Sequence, residues 1–157
     1  MKKRLALLFV TAAFLTVIFA YEINLWHRRE EGKILITLTR TECFGGCPVY
    51  DLKINEDGRV VFTGKRFVKI KGKRVAHISP ARVRALVSRL KADGYFNMKN
   101  NYEKFEATDM PYAVTGVEAG GRKKRIKHYY GDFTTPAKLT DMESRIDRAA
   151  NSERWIK

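Results

Sequence analysis

A chain of 157 residues, 45% hydrophobic and 31% charged, is long enough for one domain with a real core and too short for two comfortable ones. That composition excludes a disordered tail and fits a folded body. The formal net charge of +14 and a pI of about 10.0 predict a surface that attracts anions: phosphate headgroups, acidic glycans, nucleic acid or acidic proteins.

The N-terminus narrows that choice. Met1-Lys2-Lys3-Arg4 is basic, and Leu5 to Tyr21 then runs without a charge, the pattern of an export signal. The run exceeds a usual signal-peptide core of about 7–15 residues and falls short of a comfortable span of about 20. Ile18-Phe19-Ala20 is only a fair cleavage site, and Trp26 suits an interfacial anchor. Residues 1–26 are therefore expected to be a signal peptide or a single-pass membrane anchor. Residues 5–26 would hold the body to the inner membrane; the alternative is secretion after cleavage. No cysteine lies near the end of the run, so lipoprotein processing is not supported. Both readings place the body outside the cytoplasm, in the periplasm or cell envelope. Intracellular nucleic acid then becomes a poor partner, and a disulfide becomes the default for two nearby cysteines.

Residues 27–33 form a polar linker, and residues 34–157 are the expected extracytoplasmic domain. Ile34 to Arg40 is rich in β-branched residues and reads as a strand. Cys43-Phe44-Gly45-Gly46-Cys47-Pro48 bends the chain, and Val49 to Ile54 alternates as a second strand. Asn55-Glu56-Asp57-Gly58 turns into a third, Arg59 to Thr63. Gly64 interrupts; Phe67 to Ile70 and Val75 to Ile78 flank Lys71-Gly72-Lys73 as a second hairpin or a continued meander. In a strand, Lys69, Lys71 and Lys73 would share one face. Ser79-Pro80 opens a helix with Val83, Leu86, Val87 and Leu90 as its apolar stripe, ended by a left-handed Gly94. Residues 97–109 have no clear period and are a candidate functional loop. Tyr112 to Ala119 and Arg122 to Tyr130 form a hairpin across Gly120-Gly121, and Pro136 starts a last helix with Leu139, Met142, Ile146 and Ala149 inward. Trp155-Ile156 should dock on the body. The order predicts an α+β fold: a mostly antiparallel sheet of hairpins with two helices on one face, preceded by an N-terminal hydrophobic helix.

With these residues placed, the chain resembles a bacterial family of exported proteins known only as a domain of unknown function (in words, six-four-three-eight). The resemblance rests on Thr39-Arg40-Thr41-Glu42-Cys43-Phe44-Gly45-Gly46-Cys47-Pro48-Val49-Tyr50, whose Cys-Phe-Gly-x-Cys-Pro-x-Tyr string is its most specific part. Asp57-Gly58 with Val60-Val61, Gly64 to Val68, Ile78-Ser79-Pro80, Thr108 to Pro111 and Glu153 to Ile156 support it. It spans roughly Ile34 to Ile156. It implies a shared fold and an extracytoplasmic setting, and it implies no activity.

The cysteine pair has three readings. A structural disulfide fits, because two of the three intervening residues are Gly and let the sulfurs meet. Thiol-redox or copper chemistry is the alternative function, but a strand pattern rather than a helix follows Cys47. A metal would need Cys43 and Cys47 with His77 and His128. Thirdly, the Gly-Gly bend could offer backbone N–H groups to an anion. Asp51, Glu103, Asp109 and Asp132 are the candidates for a carboxylate pair. No serine elbow, HExxH or phosphate-loop pattern occurs, so no catalytic residue and no cofactor are assigned. Tyr129, Tyr130 and Phe133 beside Lys127 and His128 suit a binding surface or, more cheaply, core packing. The candidate anion-binding residues are Arg40, Lys65, Arg66, Lys69, Lys71, Lys73, Arg122 and Lys124. The expected function is thus a non-enzymatic binding or structural module whose basic surface meets an anionic envelope component or an acidic protein.

Overall fold

The structure, a computed structural model, describes residues 33–157 and, apart from them, Ile18. The expected hydrophobic helix and the signal-or-anchor reading of residues 1–26 lie, Ile18 aside, outside the described residues. Among the described residues no helix is long and apolar enough to cross a membrane. Lys33–Lys157 forms a compact unit of its own.

Seven strands make one sheet: β1 (Leu35–Arg40), β2 (Val49–Asn55), β3 (Arg59–Arg66), β4 (Gly72–His77), β5 (Asn101–Tyr102), β6 (Tyr112–Ala119) and β7 (Arg122–Tyr129). Their spatial order is β4-β3-β2-β1-β6-β7-β5. Every pairing is antiparallel except the short β5–β7 contact. Alternation sets the register. Ile36 and Leu38 face Ile54 and Leu52 on one side, Val117 and Thr115 on the other, and all six are buried. A slip of one residue would turn that row to water.

Helices α1 (Pro80–Ala92), α2 (Ala137–Ala150) and α3 (Glu153–Ile156) follow the hairpins. Ser79 caps α1, its Oγ accepting from the Arg82 N–H at 3.2 Å, and Gly94 beyond its end is left-handed at φ 84°. Val83 and Leu90 from α1, Leu139 and Ile146 from α2, and the inward strand residues form one apolar cluster. Trp155 docks against it, its ring 5.1 Å from that of Phe62, which lies 5.2 Å from Tyr50. The helices thus cover one face of the sheet, as the periodicity predicts.

Two local expectations change. The second hairpin is not built from residues 67–70 and 75–78. Instead β3 continues through Gly64 to Arg66 and pairs with β4. Gly64 is a point of close approach, since a Cβ there would lie 2.1 Å from the Ile70 carbonyl oxygen. Residues 67–70 become a loop whose Lys69 and Ile70 N–H groups donate to Ile156 and Trp155. Lys69 and Lys71 therefore do not share a strand face with Lys73. Part of the stretch expected to be irregular also becomes β5, too short for any periodicity to show.

The register defines two ends of the sheet. Arg40, Tyr50, Gly64 and Ala113 sit near one, with the cysteine bend; Leu35, Asn55, Arg59, His77 and Ala119 sit at the other.

Candidate functional site

At the first end Cys43 and Cys47 form a disulfide, their Cα atoms 5.6 Å apart. Gly45 supplies the positive φ of 119° that the tight ring needs. Backbone pairing holds the bend on both sides. The Thr41 N–H donates to Tyr112 and the Phe44 N–H to Asp109, each at 3.0 Å, while Thr41 Oγ1 accepts from the Tyr112 N–H at 2.8 Å. The proposed metal set does not assemble. His77 ends β4 at the far end of the sheet, where it faces Arg59. His128 is buried with its Nδ1 2.8 Å from Glu143 Oε1, and the disulfide leaves no thiolate. Among the described residues no group of three or more His, Cys, Asp or Glu could hold a metal ion.

Arg40 and Tyr50, both in the motif stretch, point from the sheet end into helix α2. There they join a polar clasp that sequence reasoning missed. The Arg40 guanidinium donates to Asp147 Oδ2 at 3.0 Å and to the Tyr130 hydroxyl, and lies 3.7 Å from Glu143 Oε2. Tyr50 donates to Asp147 Oδ1 at 2.7 Å, as does the Ser152 hydroxyl. Tyr130 in turn donates to Glu143 Oε2 at 2.6 Å. Glu143 and Asp147 lie one helical turn apart, which puts both carboxylates over one arginine. Burial opposes the charge on Arg40, but Tyr130, Tyr50 and Asp147 outweigh it and raise its pKa. Burial and then Asp147 push Tyr50 well up, and burial with Glu143 pushes Tyr130 up to about 12. Both phenols thus stay protonated and serve as donors to carboxylates. Each named group has a partner, so the clasp pins helix to sheet. This corrects the reading of Arg40 as an anion site: its anions are Glu143 and Asp147 of its own chain. The one visible signal was the i,i+4 acid pair on the helix.

The other candidate cations divide. Lys65 pairs with Asp51 at 2.7 Å and Arg66 with Glu42. The Arg122 guanidinium lies over the Phe96 ring at 4.5 Å and donates to Asn97 at 3.3 Å. Lys124 donates to the Met98 carbonyl. All four are therefore engaged within the domain. Lys69, Lys71 and Lys73 are exposed, and among the described residues none has an acidic partner.

The carboxylate candidates serve the fold one by one. Asp51 accepts from Thr39 at 2.8 Å, Glu103 pairs with Lys127 at 2.5 Å, and Asp132 accepts from Thr134 and from the Lys104 N–H. Tyr129 is buried and Tyr130 belongs to the clasp, whereas Phe133 is exposed. A half-open depression of about 460 Å³ lies between α2 and α3, lined by Asp147, Arg148, Ser152 and Lys157 among others.

The face of the sheet away from the helices was not anticipated as a surface. Strand alternation places Thr37, Thr39, Lys53, Arg59, Val61, Lys73, Val114 and Arg125 there, opposite in phase to the buried residues. Among the described residues no helix covers it, and only the loop before β6 folds over its Tyr129 end, where Ala107 accepts from the Tyr129 hydroxyl at 2.7 Å. Lys65, Lys123 and Lys127 on this face have acidic partners. Lys53, Arg59, Lys73 and Arg125 have none among the described residues.

A fold of this kind, with a stapled corner and no reactive cluster among the described residues, defines an α+β domain by architecture and not by chemistry. The family model described as "Domain of unknown function (DUF6438)" matches residues 34–150, and the chain belongs to that family. No curated protein matches the chain by sequence.

Proposed function

We propose that the domain is a non-enzymatic binding module of the cell envelope that docks an acidic protein on the uncovered face of its sheet. One observation carries this reading: Lys53, Arg59, Lys73 and Arg125 stand on a single face without acidic partners among the described residues, while Arg40 on the helix side is fully compensated. A cation left uncompensated at low density on a flat surface costs the fold little and gives a partner's carboxylates a target. Leu35, Thr37, Thr39, Val61 and Val114 lie between the cations. A half-apolar centre with charge around it resembles a protein interface more than a groove for a polyanion. The envelope setting draws on the N-terminal export pattern, and the disulfide is consistent with an extracellular location.

The test uses residues 33–157 with poly-glutamate as the model of an acidic protein surface, and heparin as an anionic glycan. Saturable poly-glutamate binding that weakens with salt and is lost in Lys53→Glu/Arg125→Glu is the expected result. Arg84→Glu/Lys138→Glu, which changes the charge equally on the helix side, should bind like the parent. Equal losses in both variants, or binding to heparin alone, would sink the proposal.

A further inference from the structure

Apart from Ile18 and from Val75 on β4, every exposed large hydrophobic residue among the described residues lies in a loop at the cysteine end: Phe44, Phe67, Phe105, Met110 and Phe133. Phe44 is 89% exposed, Phe105 72% and Phe133 69%. They come from four separate loops, and short contacts tie those loops into one rim. The Phe44 N–H donates to Asp109, next to Met110. A Cβ on Gly46 would touch the Phe67 ring at 3.9 Å. The Phe133 N–H donates to Glu106, next to Phe105, at 2.7 Å. The backbone holds these side chains outward at some cost: Phe67 and Asp109 are non-glycine residues with φ of 53° and 62°. The disulfide fixes the bend that carries Phe44.

We propose that this rim is a membrane contact that inserts Phe44, Phe67, Phe105, Met110 and Phe133 into the interfacial region of an anionic phospholipid bilayer. Exposed aromatic tips on separate loops need no matching pockets in a bilayer, whereas a protein partner would have to supply one for each. Charge agrees. Lys69, Lys71 and Lys104 are exposed beside the rim and, among the described residues, have no ion-pair partner. The acids nearby are partly spent, Glu42 on Arg66 and Glu103 on Lys127, leaving Glu106, Asp109 and Asp132, the last buried and bonded to Thr134 and the Lys104 N–H. Basic residues flanking apolar tips favour an anionic leaflet. On the anchor reading of residues 5–26 a membrane is already at hand, since the uncharged run ends at Tyr21. Residues 22–33 can extend about 40 Å, farther than the roughly 27 Å length of an eight-residue strand, so a domain tethered there can bring either end to the bilayer. The rim lies in the loops at one end of the sheet, whereas the acidic-partner proposal uses its open face and is tested at Lys53 and Arg125, so each can fail alone.

Residues 33–157, which enclose their own core, are tested without the N-terminal segment, by co-sedimentation with vesicles of phosphatidylcholine containing phosphatidylglycerol. Binding should occur, fall about tenfold or more in Phe44→Ser/Phe133→Ser, and weaken in Lys69→Glu/Lys71→Glu and on pure phosphatidylcholine. Phe133→Trp guards against misfolding, because the native Trp155 is buried. This variant should bind like the parent with a blue shift of the new tryptophan. Absence of binding, or binding that survives both rim variants or falls equally in Lys53→Glu/Arg125→Glu, would overturn the proposal. So would unshifted emission from the Phe133→Trp variant on vesicles that carry it.

Discussion

The two faces of the sheet handle the same residue types in opposite ways. On the helix face Arg40 is enclosed by Tyr130, Asp147 and Glu143, and Glu143 is 1% exposed. On the open face Lys53, Arg59, Lys73 and Arg125 stand in solvent with no such enclosure among the described residues. Removing water from a charge demands compensation, whereas a hydrated charge does not. The first face is therefore a structural device and the second is available to something else. Charge in the sequence says nothing of which is which.

Breaking the covered side should have the largest effect. Arg40→Ala leaves Glu143 and Asp147 without their cation and should cost about 3–5 kcal/mol in urea unfolding. Arg40→Lys should recover only part of it, since one ammonium cannot match two guanidinium nitrogens aimed at different partners. A loss under about 1 kcal/mol would show that the clasp is no firmer than a surface ion pair.

Cys43→Ser/Cys47→Ser should cost about 2 kcal/mol by chain closure and leave the circular dichroism spectrum native. The ring is small, and backbone bonds from Thr41 and Phe44 hold the bend independently.

Alkali should probe the same side more gently. The Tyr130 pKa rises from 10.0 to about 12 on folding, so folding favours the protonated phenol. Its contribution is complete below pH 10 and is lost as pH rises toward 12. Tyr130→Phe should flatten that part of the stability profile, and an unchanged profile would remove Tyr130 as its source. The open face should respond least. Lys53→Glu/Arg125→Glu should shift stability by no more than about 0.5 kcal/mol per site, even where binding is lost. A larger drop would mean that these cations support the fold after all.

Much of this was legible before any coordinates. Strand patterns located β1, β2, β6 and β7 and the first part of β3, Ser79-Pro80 and Gly94 bracketed the first helix, and the paired glycines favoured a disulfide between the cysteines. The clasp was not legible, because its members sit at positions 40, 50, 130, 143 and 147 and nothing local links them. Arg40 looked like one more surface cation for the same reason. The loop at residues 67–70 looked like a strand because Phe67, Val68 and Ile70 are apolar. Only the closeness of Gly64 to the Ile70 carbonyl shows why β3 runs on past it.

By itself the sequence determined the α+β class, the order of most elements, the export pattern and a disulfide as the favoured state of its two cysteines, because each depends on spacing between neighbours in the chain. Tertiary structure alone decided which cations are spent and which remain, and that five exposed apolar side chains from four loops meet at one end of the sheet. Both depend on strand order and register, which bring distant residues within reach and set what water can still touch.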